Sequence, residues 1–321
     1  MELTKRSVVA LGGGHGLHAS LRALRRVATD VTAVVTVADN GGSSGRLRGE
    51  FGVLPPGDLR MALAALCGDD EWGETWSRVL QHRFAGQGEM NGHVVGNLLI
   101  VSLWELLGDH VKALDWVGRL LGASGRVLPM ALTSLDIEAD VRGLDPTDAD
   151  RLTVVRGQVE VATTAGVIAG VRLDPAEPLA CPEAVEAVRE ASWVVLGPGS
   201  WFTSVIPHLL VPDLRDALVS TPARILLVLN LDEQAGETPG FGPGDHLAAL
   251  AEHAPQLRID TVLADRTSVG EGLAELEHVA AAHGARVVVE DLAEDDGTPR
   301  HDPARLAAAC ARIFGEGDGP T

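Results

Sequence analysis

A single doubly wound α/β domain on a mostly parallel sheet is the fold this sequence predicts, and three observations predict it. Residues 7–11 and 31–37 are continuous apolar, β-branched runs, the pattern of parallel strands covered on both faces. Between them lie the turn Gly12-Gly13-Gly14-His15-Gly16 and a segment with Leu17, Leu21, Leu24 and Val27 at helical spacing, so the chain opens on a right-handed β-α-β unit. The same strand-then-glycine-turn signature returns at residues 193–200.

The remaining elements follow in order. After the second strand, residues 38–46 read as a polar, glycine-rich loop at the sheet edge where open α/β sheets bind ligands. Pro55-Pro56-Gly57-Asp58 looks like a helix entry, and helical periodicity continues through 59–66, 72–82, 94–107 and 111–121. These make a helical block over about 58–121. From 126 to 171 the pattern changes to short β-like runs (127–132, 137–141, 152–155, 167–171), read as a small β-rich subregion packed on the main sheet. Doubly wound character resumes with a helix over 182–191 and strands at 193–196, 225–229, 259–263 and 286–289. Helices at 246–253, 272–283 and 303–314 fill the gaps. No internal repeat is visible; residues 1–315 form one domain and 316–321 a flexible tail.

Composition narrows the function. Twenty-six basic against 45 acidic side chains give a net charge of -19, which repels nucleic acid and anionic lipid surfaces at long range. Small phosphate ligands stay open, because a few local N–H groups and arginines outweigh a distant field. Three scattered cysteines (Cys67, Cys181, Cys310) fit neither a disulfide framework nor a zinc cluster. With no apolar leader and no membrane-length apolar run, the expectation is a cytoplasmic protein without membrane insertion. Only Lys5 and Lys112 are lysines, so a cationic phosphate ligand must be Arg or His.

Glycines at 12–16 let the backbone approach a phosphate while the following helix presents unpaired N–H groups, which makes Gly13, Gly14, His15 and Gly16 an anion-cradle candidate. Gly197, Pro198, Gly199 and Ser200 repeat the theme, with Thr203 adding a hydroxyl. If the two strands are parallel neighbours, both loops converge on one crevice that a diphosphate would bridge. Asp39 and Asn40 end the second strand, where a carboxylate either takes ribose hydroxyls or a hydrated Mg²⁺, or merely shapes a turn. Arg46 and Arg60 are candidate phosphate forks, and Asp58 between them either joins them or caps its helix. Asn97 either caps its helix or faces the crevice, and Asn230 either reads a base or sugar or closes a turn. Of eleven histidines only His15 and His93 lie in ligand-loop candidates, so a His-rich zinc site is rejected; no G-x-S-x-G elbow supports a hydrolase triad.

G-G-G-H-G-L, T-V-A-D-N-G-G-S-S-G-R-L-R and L-P-P-G-D-L-R, all between Val8 and Leu66, resemble the gluconeogenesis factor (YvcK) family of the CofD-like superfamily. Gly92-His93, Gly96-Asn97-Leu98-Leu99, Leu196 to Ser200 with Thr203 to Pro207, Gly236-Glu237-Thr238, Asp245-His246 and Arg300-His301-Asp302 extend the likeness in order along the chain. The resemblance implies a Rossmann-like α/β fold and a cytoplasmic protein that binds UDP-sugars, notably UDP-N-acetylglucosamine. It also implies support for gluconeogenic growth, cell shape and wall synthesis, with no established reaction. On this reading the diphosphate rests on the two glycine loops, and Arg300 with Arg46 neutralises it. Asp39, Asn40, Ser43 and Ser44 then meet ribose, sugar or metal, with Asn97, Thr203 and Asn230 lining the rest. The superfamily's other activity, a phospholactate-type transfer from a guanosine diphosphate donor, is the alternative, with Asp39 as catalytic residue and candidate Mg²⁺ ligand. A protein-binding scaffold is a third reading, and a homo-oligomer is left open. The chain departs from the usual family pattern at His15 (often Thr), Asn40 (often Asp) and Pro303 (often Thr). The Asn40 change leaves Asp39 as the loop's sole carboxylate, which argues against paired-carboxylate metal chemistry.

Overall fold

The computed structural model describes residues 6–316, so the expected absence of a leader over residues 1–5, and all of the expected 316–321 tail but Glu316, lie outside the described residues. The chain runs β1 (Ser7–Gly12), α1 (Gly14–Leu24), β2 (Asp30–Val35), α2 (Gly42–Phe51), α3 (Gly57–Ala65), α4 (Glu71–Gln81), α5 (Val95–Leu107) and α6 (His110–Leu121). It continues with β3 (Arg126–Pro129), β4 (Asp136–Arg142), β5 (Thr153–Arg156), α7 (Gln158–Ala162), β6 (Val167–Asp174), α8 (Pro182–Glu190) and β7 (Trp193–Leu196). A π-turn (Trp201–Val205) leads into α9 (Pro207–Leu210), α10 (Pro212–Ser220), β8 (Arg224–Val228) and α11 (Pro243–His253). Then come β9 (Thr261–Asp265), α12 (Arg266–Val269), α13 (Leu273–Ala282), β10 (Arg286–Glu290) and α14 (Pro303–Glu316). Glu316, expected in the flexible tail, closes α14.

Seven parallel strands form the main sheet in the order β10-β9-β8-β7-β1-β2-β3. The apolar runs are buried as expected for strands covered on both faces: Val8, Val9, Ala10 and Leu11 are all 3% exposed or less. Helix α1 packs against α3 and α14, and α8 against α10, giving two groups of helices on the sheet. Because β2 and β3 extend to one side of β1 and β7 to β10 to the other, the strand order reverses between β1 and β7, where the glycine turns leave the sheet.

Three elements differ from expectation. The run at 127–132 does not belong to the β-rich subregion: β3 pairs in parallel with β2 and ends the main sheet. Its four residues cannot name their own partner. Helix α2 starts within the segment read as loop, at Gly42 with φ 49°; its sequence GSSGRLRGEF is poor in helix formers. Helix α10 is not among the expected helices; Pro212 occupies its first position, where the missing N–H costs nothing.

The small antiparallel sheet β5-β4-β6 is tied to α2 by the Arg48–Asp136 ion pair at 2.6 Å. Its loop carries α7 to the rim of the main sheet. There Asn40 Oδ1 accepts from the Val159 N–H at 3.0 Å, Asn40 Nδ2 donates to Glu160 at 2.7 Å, and Gln158 Nε2 donates to the Thr203 carbonyl at 3.3 Å. Asn40 thus has both ends of its amide engaged in fixing α7.

Candidate functional site

The β1 and β7 turns pack on each other. A methyl group at Gly16 would collide with the Pro198 carbonyl and lie 2.6 Å from Gly199 Cα, so only glycine lets the second turn cross the first turn of α1. Gly14 (φ 56°) and Gly197 (φ 72°) take backbone shapes that side chains resist. At Gly13 a methyl would sit 2.6 Å from Asp58 Oδ2, so the first turn also rests on Asp58.

The two turns treat their N–H groups differently. In α1 the Gly14 N–H goes to Asp58, while the first intrahelical bond is from Leu17 N to Gly13 O. The N–H groups of His15 and Gly16 therefore have no acceptor within the helix. In the second turn Asn230 holds Gly199 at both ends, at 2.9 Å each, and Gln234 accepts from the Trp201 N–H at 3.0 Å. Glu237, 2% exposed, accepts from Phe202 N, Thr203 N and the Thr203 hydroxyl at 2.7, 3.2 and 2.6 Å. Burial raises the Glu237 pKa and these donors oppose that rise. An internal carboxylate thus occupies the place expected for an anion, and the second turn is a wall rather than a second cradle.

The crevice between the turns has a volume of about 680 Å³, within the usual range for small-molecule sites. Of the sequence-predicted residues, Gly13, Gly14, His15, Gly16, Pro198, Gly199, Ser200, Thr203, Asn230 and Arg300 line it. Asp39, Asn40, Ser43, Ser44, Arg46, Asn97 and Gly197 are not among its lining residues. Ser43 accepts from Val94 N and Asn97 Nδ2 and faces His93 Nδ1, each at 3.2 Å. Ser44 accepts from the Gly57 N–H at 3.0 Å, and Arg46 donates to the Asn91 carbonyl at 2.8 Å. Arg300 is 62% exposed and held by Asp296 at 3.2 Å and Glu294 at 3.8 Å.

Sequence reasoning missed Arg22, His18 and Gln158 as lining residues, and Asp58, read as a partner of the arginines or a helix cap, lines the cleft as well. His15, His18, Ala19 and Arg22 recur at helical spacing off the apolar face of α1, a signal that was available. Gln158 had none, since it arrives on a separate sheet. Asp58 sits half-buried at the cleft floor, and burial with the neighbouring Asp39 charge raises its pKa to about 7. Asp39 is likewise raised by burial. The fold therefore restores the carboxylate pair that the Asn40 substitution removes from the loop. Among the described residues no three His, Cys, Asp or Glu side chains converge as a metal site, and no helix is long and apolar enough to cross a membrane.

The family model for 2-phospho-L-lactate transferase CofD matches residues 8–301. A Mycobacterium tuberculosis protein provisionally named a gluconeogenesis factor is 53% identical over 98% of this chain and 93% of its own. The chain belongs to the gluconeogenesis factor family, within CofD. The Listeria monocytogenes gluconeogenesis factor is 35% identical over 95% of each chain. A crystal structure of a Bacillus halodurans protein of the UPF0052 family superposes with a TM-score of 0.84 at 32% identity, covering 95% of this chain and 99% of that one.

Proposed function

We propose that this protein is a cytoplasmic regulator that binds a UDP-sugar, with UDP-N-acetylglucosamine as the expected ligand, and couples it to gluconeogenic growth, cell shape and wall synthesis. The observation that carries the reading is the first turn of α1, whose His15 and Gly16 N–H groups open at the point where the strand order reverses. The diphosphate would lie there, with Arg22 and Arg300, both cleft-lining, as the charge-bearing partners. Isothermal titration with UDP-N-acetylglucosamine, UDP-glucose, GDP and NAD, with and without Mg²⁺, tests it. Selective UDP-sugar binding without turnover is expected, and Arg300→Ala should weaken it at least several-fold, since a charge-assisted contact contributes about 1.5–3 kcal/mol. No UDP-sugar binding would refute it.

A second reading, Mg²⁺-dependent transfer from a nucleoside diphosphate donor, is favoured by the neighbouring Asp39 and Asp58. Two partly buried carboxylates whose charges oppose each other suit Mg²⁺, which takes one or two carboxylates and keeps waters or phosphate oxygens for the rest. Such an ion would supply charge neutralisation to a leaving phosphate, while the chain's own N–H groups orient it. Turnover of a guanosine diphosphate donor, lost in Asp39→Asn, would favour this reading over the regulator.

A further inference from the structure

The main cleft has two unlike sides. Strand β7 lies between β1 and β8, and the segments that follow those two neighbours both pack on the β7 turn. From the β1 side, Gly16 in the first turn of α1 lies so close to the Pro198 carbonyl and Gly199 that no methyl fits between them. From the β8 side, Asn230 holds the Gly199 N–H and carbonyl, at 2.9 Å each. The cleft is lined on the first side by His15, Gly16 and Arg22 and on the second by Asp232 and Glu233, with His301 also in its lining. The α1 side offers donors: the open His15 and Gly16 N–H groups and the Arg22 guanidinium.

The second side offers acceptors. Asn230 spends its amide N–H groups on the Gly199 carbonyl and Gln234 Oε1, at 2.9 and 3.2 Å, and Thr203 gives its hydroxyl proton to Glu237 at 2.6 Å. Among the described residues Asp232 accepts only from the Glu233 N–H, at 2.9 Å, and Glu233 only from the Gly240 N–H. Both carboxylates are exposed, and no arginine or lysine of the described residues pairs with either at 4.0 Å or less. Arg300 brings a positive charge to the lining, but Asp296 and Glu294 stand against it at 3.2 and 3.8 Å. His301 adds a neutral acceptor. It is 6% exposed, and its Nε2 meets no partner. Burial lowers its pKa to about 4, and the one N–H of the neutral ring goes to the Leu229 carbonyl, which leaves a lone pair on Nε2. A buried acceptor at the edge of a cleft is costly unless a bound molecule donates to it.

We infer that Asp232, Glu233 and His301 form a subsite for an uncharged, hydroxyl-bearing group, the sugar of a UDP-sugar whose diphosphate lies at α1, and that this side rejects sugars carrying a carboxylate. The subsite rests on the UDP-sugar reading of the cleft and narrows it to neutral sugars. Hydroxyl groups donate to carboxylates and to a neutral imidazole, whereas a carboxylate in their place brings a like charge and no proton. The cleft thus sorts a ligand end to end, its anionic acceptors toward α1 and its hydroxyl donors toward the loop after β8.

UDP-glucose and UDP-glucuronate differ only at C6 of the sugar, a hydroxymethyl in one and a carboxylate in the other, so calorimetric titration with the pair at fixed ionic strength tests this. Wild type should bind UDP-glucose at least about tenfold more tightly, because the carboxylate of its analogue faces like charge. In the double variant Asp232→Asn with Glu233→Gln the gap should close to within about threefold, chiefly through tighter UDP-glucuronate binding. Arg22→Gln, on the opposite side, should weaken both ligands and leave the gap as it was. His301→Phe keeps a ring but removes the acceptor, and should weaken UDP-glucose several-fold; if it does not fold, the exposed Asp232 and Glu233 pair decides alone. Equal wild-type affinity for the two ligands, or a preference that survives the double variant unchanged, overturns this subsite and leaves the UDP-sugar reading standing. Binding of neither ligand overturns that reading and the subsite with it.

Discussion

The turns after β1 and β7 look alike in sequence, glycine-rich and directly after a buried strand, yet they do different work. The first leaves the His15 and Gly16 N–H groups without intrahelical acceptors; the second has its donors closed by Asn230, Gln234 and Glu237. The same backbone signature can therefore be an open anion cradle or a finished internal cap. What separates them is a carboxylate brought from more than thirty residues along the chain.

The sharpest way to break the comparison is at their contact. Gly16→Ala should cost about 3 kcal/mol, because the new methyl meets backbone on the second turn that cannot swing aside as a side chain would. Urea unfolding would measure it, and a loss below about 1 kcal/mol would show that the turns are not locked together. Next in size, Glu237→Ala strips the acceptor from two buried N–H groups and the Thr203 hydroxyl, for a loss of about 2 kcal/mol. High sulfate should restore part of that stability if the vacated turn now behaves like the first one. An identical sulfate response in wild type would mean the second turn had not been opened.

A third effect concerns pH and the floor of the first turn. Asp58 has a folded-state pKa raised from 3.8 to about 7, so its contribution is fully present at low pH and is lost as pH rises through that window. Wild type should lose stability relative to Asp58→Asn between about pH 4 and pH 7, read from urea midpoints, and the variant should be flatter. A pH-dependence shared equally by both would place the titration elsewhere, with Asp39, also raised by burial, as the next residue to replace.

Much of the fold was legible in the chain. The runs at 7–11, 31–37 and 193–196 announced buried parallel strands because apolar, β-branched continuity has few other uses. The motif blocks around the glycines marked the family. The site was legible in part. Ser43, Ser44 and Asn97 were read as ligand contacts but serve as buried hydrogen-bond partners, because a small polar residue after a strand looks the same in either role. Asp58 was readable only as a cap or a partner of the arginines, since its closeness to Gly13 and Asp39 is made by packing.

By itself, then, the sequence determined the local matters: which segments are strands, where the backbone must turn through glycine, and that any cation at the site is arginine or histidine. Tertiary structure alone decided that β1 and β7 are neighbours, that β3 ends the main sheet, and that Glu237 fills one glycine turn while the other stays open. The division has a physical reason. Burial periodicity and backbone strain act within a few residues and leave their mark in the string, whereas hydrogen-bond partners and opposing charges are joined across the chain by packing.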